Sequence, residues 1–156
     1  MVAALVHILM EGTSLSSRPG MYSDSCVINQ CCAILRTYPE HEETLAAVQK
    51  AVQLVEKNPD SHAQGVESLG GGWVGEEALA IALYAVLTAG SYVEAISIAA
   101  NHSGDSDSTA SIAGQLWGAM NGIAGMPHDW VSSLDVLLPL LHLGEQVPVL
   151  CFGNAG

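Results

Sequence analysis

Basic side chains are scarce in this sequence of 156 residues. Four Lys and Arg residues stand against 16 Asp and Glu residues, which gives a formal net charge of −12 at pH 7. Nucleic acids and anionic membranes are bound through clusters of Lys and Arg, which this composition does not supply. The charge balance therefore argues against both kinds of partner. It also predicts that any anionic ligand is held by backbone N–H groups and metal ions.

Aromatic residues are also few, with a single Phe in a chain that is 49% hydrophobic. The core must therefore be built from Ala, Leu, Val and Ile, a composition that suits closely packed helices. The length predicts one helical domain, which we place at residues 1–143, followed by a C-terminal tail at residues 144–156. The tail is apolar, and the sequence leaves open whether it forms a strand or lies in a groove.

The four cysteines include no CxxC pair, and two of them, Cys31 and Cys32, are adjacent. The apolar N-terminal segment has no basic region before it and contains His7, so it does not have the pattern of a secretory signal peptide. It is also too short for a membrane span. We therefore expect a buried helix at residues 2–11, reduced thiols and a cytoplasmic location.

An acidic segment at residues 101–109 reads Asn-His-Ser-Gly-Asp-Ser-Asp-Ser-Thr and precedes a long helix of small residues. Asp105 and Asp107 are two residues apart, and Ser108 adds a hydroxyl group. In a turn that leads into a helix these side chains can converge, and carboxylate and hydroxyl oxygens suit magnesium, calcium or manganese. The simpler alternative is a helix cap, the usual role of Asp or Ser here. Because one cap is sufficient, the second carboxylate favours a bound cation.

Two other acidic patterns are less informative. Counted from Asp105, an EF-hand loop would have Gly at its sixth position and Glu at its twelfth, but the chain has Ala110 and Leu116. The cluster Glu-His-Glu-Glu at residues 40–43 fits the first turn of an amphipathic helix that begins at Pro39, where the helix dipole favours acidic residues. We therefore expect neither an EF-hand nor a metal site at residues 40–43.

A run of three glycines, Gly70, Gly71 and Gly72, precedes Trp73. Glycine permits positive φ angles and a close approach of the backbone to a ligand. A helix predicted to begin near Gly75 would direct its free N–H groups toward this loop. The alternative is a flexible connection, which is at least as common for a lone glycine run. The pattern alone leaves both interpretations open.

Hydrophobic spacing and helix-ending residues predict the other elements. Helices are expected at about residues 24–36, 39–57, 76–89, 91–101, 108–124 and 128–142. The helix at residues 108–124 has no charged side chain after its start and carries Gly114, Gly118 and Gly122 at intervals of four. We predict that this helix is the most buried of the fold, because small residues let neighbouring helices approach closely.

The acidic segment, together with Ile-Ala-Gly-Gln-Leu-Trp-Gly-Ala at residues 112–119, resembles the second metal motif of the ADP-ribosylglycohydrolase family. Residues 69–79, Leu-Gly-Gly-Gly-Trp-Val-Gly-Glu-Glu-Ala-Leu, are similar to a loop and helix start of that family. The likeness is close over about residues 65–130 and more diffuse back to Met1. It implies an all-α fold, a compact orthogonal bundle of helices. It also implies a hydrolase that uses two magnesium or manganese ions to release ADP-ribose from protein side chains.

The resemblance also implies roles for particular residues. Asp105 and Asp107 would be catalytic, and the same aspartates with Ser108 would bind metal. Ser108 stands where the family often has Thr. The glycine run at residues 70–72 and Trp73 would bind the substrate.

The family's first acidic motif, a hydroxyl residue followed by paired aspartates, has no counterpart here. The nearest candidate, residues 23–25, reads Ser-Asp-Ser and has one aspartate. The resemblance therefore implies the C-terminal half of the fold, truncated at the N-terminus. With the ligands of one motif missing, the chain would hold one ion or none and have weak or no activity alone.

Two functions follow from this sequence. The first is a metal-dependent hydrolase of ADP-ribosylated substrates that is incomplete or depends on a partner. The second is a non-catalytic binding or assembly module that pairs with a separate N-terminal half chain or with itself through exposed apolar faces. A decaying gene product is a third interpretation. The linkage that would be hydrolysed cannot be read from the sequence.

Overall fold

The computed structural model describes residues 1–10, 27–57 and 62–152, and these ranges contain helices and no strand. This confirms the prediction of an all-α fold. The helices are α1 (Val2–Met10), α2 (Val27–Leu35), α3 (Glu42–Lys57), α4 (His62–Leu69), α5 (Gly75–Thr88), α6 (Tyr92–Ala100), α7 (Ser106–Asn121), α8 (His128–Ser132) and α9 (Leu137–Phe152), with a 3₁₀ turn at Ile123–Gly125. The start of the helix predicted at residues 24–36 and the Ser-Asp-Ser candidate at residues 23–25 lie outside the described residues.

The chain divides into two compact units, Met1–Gly125 and Met126–Gly156. In the second unit, the single helix predicted at residues 128–142 is wrong, because α8 ends at Ser132 and α9 begins at Leu137. Polar residues between them favour a turn. Pro139 is the third residue of α9, where its missing N–H group would have no partner inside the helix. Helix α9 then continues to Phe152, so residues 144–152 are helical, whereas the sequence left open a strand or a segment that lies in a groove. None of the described helices combines the length and apolar character that a membrane crossing demands.

Helix α5 forms the centre of the first unit. All ten residues from Ala78 to Leu87 are buried, and the helix packs against α3, α4, α6 and α7. The alanines in this run allow close approach, while leucine, isoleucine, valine and tyrosine side chains fill the space between helices. Each fully buried large aliphatic side chain stabilises the fold by about 1.5–3 kcal/mol relative to an exposed one. Helix α5 is therefore the buried central element to which the loop before it is attached.

Helix α7 is less buried than its sequence predicts. It buries Thr109, Ala113, Leu116 and Trp117 along one face, while other positions such as Gln115 are exposed. The prediction that this helix is the most buried of the fold is wrong, because a lack of charge does not by itself place a helix at the centre.

The glycines of α7 also differ from the prediction. A Cβ atom added at Gly114 would lie 3.7 Å from its nearest neighbours, an ordinary contact distance. Gly122 is the C-cap of α7 with φ of 64°, and an added Cβ would meet nothing within 4 Å. At these two positions the glycines do not serve a close helix–helix contact. Gly122 serves the positive φ angle at the end of the helix, which glycine adopts without a steric penalty.

Helix α4 has no counterpart among the predicted helices. It has eight residues, of which Gly65, Val66 and Leu69 are buried. The absence of a side chain at Gly65 admits the Tyr84 hydroxyl group, which would lie 2.9 Å from an added Cβ. His62 Nδ1 lies 3.0 Å from that hydroxyl oxygen and supplies its hydrogen-bond partner. Through these contacts α4 is fixed against α5, beside the loops that carry the site.

Candidate active site

The acidic residues lie where α7 begins. Asp105 is the N-cap residue and Asp107 is in the first turn. Asp107 is exposed, whereas Asp105 and Ser108 are partly exposed. No well-formed capping hydrogen bond joins the Asp105 side chain to the helix, but the backbone N–H group of Ser108 interacts with its carboxylate and helps to lower its pKa. This is the contact that a helix cap makes, so the cap alternative stays open beside the metal site.

The side chains of the acidic turn also interact with one another. Hydrogen bonding with the Asp107 side chain, and then with the Ser108 side chain, holds the pKa of Asp105 below its ordinary value. The Asp105 side chain therefore interacts with both the Asp107 and the Ser108 side chains. Asp105, Asp107 and Ser108 are thus neighbouring side chains at the start of α7.

The buried hydroxyl group of Thr109 holds the backbone of this turn. Its Oγ1 atom donates to the carbonyl oxygen of Ala99 at 2.7 Å, and it lies 2.9 Å from His102 Nε2. The Gly104 N–H group donates to His102 Nδ1 at 3.1 Å. Because Nδ1 accepts, Nε2 carries the proton and donates to Thr109, which assigns the neutral tautomer of His102 from its neighbours. His102 therefore orients the main chain of the turn and not the Asp105 carboxylate directly.

The glycine run packs directly against the acidic turn. The Asp105 N–H group donates to the carbonyl oxygen of Gly71 at 2.8 Å. The N–H groups of Gly71 and Gly72 both donate to Glu77 Oε2, each at 3.1 Å. These two N–H groups are therefore already paired within the protein. A ligand held by the glycine loop would have to displace Glu77 or contact other atoms of the loop.

The close contact between the two loops explains why glycine is needed at particular positions. A Cβ atom at Gly104 would lie 1.7 Å from the Gly71 carbonyl oxygen, which no side chain can tolerate without movement of the backbone. Gly72 has φ of 74°, and its added Cβ would meet the Thr109 methyl carbon at 2.8 Å. The glycines at these positions thus permit the loops to touch.

Two further residues shape the site. Glu67 on α4 accepts hydrogen bonds from the Ser103 N–H group and the Ser103 hydroxyl group, both at 3.0 Å. Trp73 is 72% exposed, and its ring covers Gly71, since the ring Cδ1 atom would lie 2.7 Å from an added Cβ there. Sequence reasoning found Trp73 but missed Glu67 and the contacts of Glu77. No local pattern marks Glu67, because its partner lies 36 residues away.

The donor atoms of the turn fit a hard divalent cation in part. Two carboxylates and one hydroxyl group are ligands that magnesium and manganese accept, but these ions take six ligands in all. Among the residues that the structure describes, no group of three His, Cys, Asp or Glu side chains is placed to hold a metal ion. The turn can therefore supply one side of a metal site, which water or further carboxylates would complete.

A sequence model of the ADP-ribosylglycohydrolase family matches residues 1–151 of this chain. The chain belongs to the ADP-ribosylglycohydrolase family. This confirms the resemblance seen in the acidic segment and the glycine run, and it agrees with the all-α fold.

Two curated relatives share part of the sequence. The ADP-ribosylarginine hydrolase Tri1 of Pseudomonas putida (strain GB-1) is 45% identical over 58 residues, which are 37% of this chain and 16% of the relative. The ADP-ribosylarginine hydrolase Tri1 of Serratia proteamaculans (strain 568) is 34% identical over 71 residues, 46% of this chain and 19% of the relative. The matched segments thus span less than a fifth of either relative. No solved structure matches the chain significantly.

Proposed function

We propose that this chain takes part in the metal-dependent hydrolysis of ADP-ribosylated substrates. The observation that carries the proposal is the convergence of Asp105 with Asp107 and Ser108 on the open side of the α7 start. Membership of the ADP-ribosylglycohydrolase family supports the reaction class. The partial match to two ADP-ribosylarginine hydrolases favours an arginine-linked ADP-ribose as the substrate to test first.

Asp105 and Asp107 would bind Mg²⁺ or Mn²⁺, with the Ser108 hydroxyl group as a third ligand. The lowered pKa of Asp105 suits this role, because metal and protons compete for the same carboxylate oxygens. When bound, such an ion polarises ligand oxygens and lowers the pKa of a coordinated water. The chain's own contribution is the turn that carries the two carboxylates, whose main chain the hydrogen bonds of His102 and Thr109 hold in place.

Trp73 would provide a contact for the sugar or base of the substrate. Its indole ring is largely exposed and lies against Gly71, whose carbonyl oxygen accepts the hydrogen bond from Asp105. An aromatic face of this kind packs against flat or apolar ligand surfaces and retains an N–H donor at its edge. The N–H groups of Gly71 and Gly72 are bonded to Glu77, so Trp73 carries more of the proposed substrate contact than the glycines do.

Two carboxylates and a hydroxyl group leave a two-ion site short of ligands. We therefore propose that full activity needs further carboxylates, supplied by a chain segment with the family's first acidic motif. Without them this chain would hold one ion weakly or none. The partial ligand set is also the observation that favours the alternative, a binding or assembly module derived from the same fold. Self-association and a cytoplasmic location stay predictions.

The test is release of ADP-ribose from an arginine-ADP-ribosylated peptide in the presence of Mg²⁺. We expect little release by the chain alone, release after addition of a chain with the first acidic motif, and loss of that release in Asp107→Ala. Asp129→Ala, a change of an acidic residue in the second unit, is the matched control. Robust release by the lone chain would contradict the need for further carboxylates. Release that survives Asp107→Ala would contradict the site, and ADP-ribose binding without any release would support the binding module.

A further inference from the structure

We infer that Glu77 is a positioning residue that fixes the main chain of Asp105 through the glycine loop. Its carboxylate accepts the N–H groups of Gly71 and Gly72, and the Gly71 carbonyl oxygen in turn accepts the N–H group of Asp105. The consequence for metal binding rests on the proposed function. The mechanical link between Glu77 and Asp105 does not.

Glu77 is well placed to act as a fixed point. It is the third residue of α5, directly before the ten buried residues that begin at Ala78. Its own side chain is partly buried. The helix behind it packs against four neighbouring helices, so the Cα position of Glu77 is set by the core of the first unit. A loop that is bonded to this carboxylate is therefore attached to the buried core of the first unit.

A single peptide group joins Glu77 to Asp105. The carbonyl oxygen of Gly71 and the N–H group of Gly72 belong to the same planar unit. At one end of this unit the N–H group donates to Glu77 Oε2 at 3.1 Å, and at the other end the oxygen accepts from Asp105 at 2.8 Å. Hydrogen bonds in such a series polarise one another. A rotation of this peptide plane would break both bonds together.

The shape of the loop is consistent with this role. Gly70 has φ of 129°, and an added Cβ there would lie 2.4 Å from the Glu77 carboxyl carbon. Glycine at this position therefore allows the carboxylate to reach the two N–H groups that follow. Bonds from two N–H groups to one ionised oxygen are charge-assisted and stronger than neutral ones.

Ordinary helix capping does not account for the contact. In a capping box, a Glu at the third helical position accepts the N–H group of the N-cap residue, which for α5 is Val74. The Glu77 carboxylate instead binds N–H groups two and three residues before Val74. Its bonds hold the loop and not the first turn of α5.

The experiment compares Glu77→Ala and Glu77→Gln with Glu76→Gln, which removes the same charge one residue earlier. Amide hydrogen exchange is measured first without metal, at Asp105, at Gly72 and in the core of α5. We expect Glu77→Ala to accelerate exchange at Asp105 and Gly72 by at least tenfold relative to the α5 core. Glu77→Gln, which keeps an acceptor oxygen, should show a smaller acceleration, and Glu76→Gln should match the wild type. The second readout is Mn²⁺ affinity by calorimetry, which should fall about 10- to 100-fold in Glu77→Ala, the usual effect of losing a group that orients a ligand.

Equal exchange at Asp105 in Glu77→Ala and Glu76→Gln would overturn the inference. So would an acceleration spread uniformly over α5, because that result indicates a general loss of stability. If Glu77→Ala does not fold, the comparison uses Glu77→Gln. Exchange at Asp105 in Glu77→Gln that equals the exchange in Glu76→Gln would again overturn the inference. A wild type that binds no Mn²⁺ would contradict the proposed function and leave the exchange comparison to decide the role of Glu77.

Discussion

Helices α5 and α7 both begin with acidic residues, but the two helices differ in the contacts of those residues and in their burial. Each carries acidic residues at its start, Glu76 and Glu77 in α5, Asp105 and Asp107 in α7. In α5 the Glu77 carboxylate turns back to the preceding loop, and the helix is then buried on all sides. In α7 the carboxylates stay on the solvent side, and the helix is buried along one face.

The difference shows what a local pattern does and does not determine. The helix dipole favours acidic side chains in the first turn of any helix, so the same residues are expected at both starts. The contacts that these acidic side chains make depend on what the rest of the helix packs against. The body of α5 is the centre of the first unit and supplies stability, whereas the start of α7 carries the exposed carboxylates that we propose as metal ligands. Predictions can therefore be directed at one helix or the other.

The largest effect on stability is expected in α5. Leu83 is fully buried, so Leu83→Ala should lower the free energy of unfolding by about 2–5 kcal/mol through lost burial and a residual cavity. The exposed side chain of Gln115 on α7 is the control, and Gln115→Ala should change stability by less than about 0.5 kcal/mol. Chemical denaturation measures both. Similar losses in the two variants would contradict the contrast between the helices.

A change where the two loops meet should have the next largest effect. Gly104→Ala places a methyl group on the Gly71 carbonyl oxygen, and the backbone must move. We expect a loss of about 1–3 kcal/mol, as for other overpacked sites, together with faster hydrogen exchange at Asp105. Gly75→Ala is the matched control, because an added Cβ there meets nothing within 4 Å. A Gly104→Ala variant as stable as Gly75→Ala would mean that the loops do not touch.

A smaller effect of opposite sign is expected inside α7. Gly114 has space for a methyl group, since the nearest atoms lie 3.7 Å from an added Cβ. Alanine also has a higher helix propensity than glycine, so Gly114→Ala should stabilise the protein by about 0.5–1 kcal/mol. The melting temperature reports this directly. Marked destabilisation would support the original prediction that the glycines of α7 lie in a close contact between helices.

The smallest effect concerns pH, because Asp105 is solvent-accessible. Its pKa in the folded protein lies below the ordinary value of 3.8. A carboxylate of this kind stabilises the fold above its unfolded pKa, and the contribution is lost as the pH falls through the folded-state pKa. Asp105→Asn should therefore show a weaker decline of stability below about pH 4 than the wild type. Thermal denaturation across the acidic range tests this, and parallel curves for the two proteins would contradict it.

The parts of the site that are local in sequence could be predicted. Asp105, Asp107 and Ser108 lie within four residues, so their convergence needs only the turn before a helix. Glu67 could not be predicted, because its contact with Ser103 depends on how α4 packs, and α4 is a short helix with a weak apolar pattern. The link from Glu77 to Asp105 likewise depends on two loops that meet in space.

The all-α class and most helix positions could be predicted from the sequence. Which helix is the most buried could not. The continuous apolar run of α5 at residues 78–87 is typical of a helix buried on all sides, and this signal was in the sequence. The glycine spacing of α7 led to the wrong prediction that α7, and not α5, is the most buried helix. The break between α8 and α9 was also missed, because the leucines near residue 138 extend the apolar pattern across the turn.

The most direct test of the account is calorimetric titration of the chain with Mn²⁺ and Mg²⁺. The central claim is that the start of α7 binds a divalent ion through Asp105 and Asp107. We predict weak binding by the wild type, because water must complete the ligand set. Binding should be lost in the double variant Asp105→Asn and Asp107→Asn and unchanged in Asp129→Asn, an acidic residue in the first turn of α8. Equal affinity in the wild type and the double variant would contradict the claim and would mean that these aspartates do no more than begin a helix.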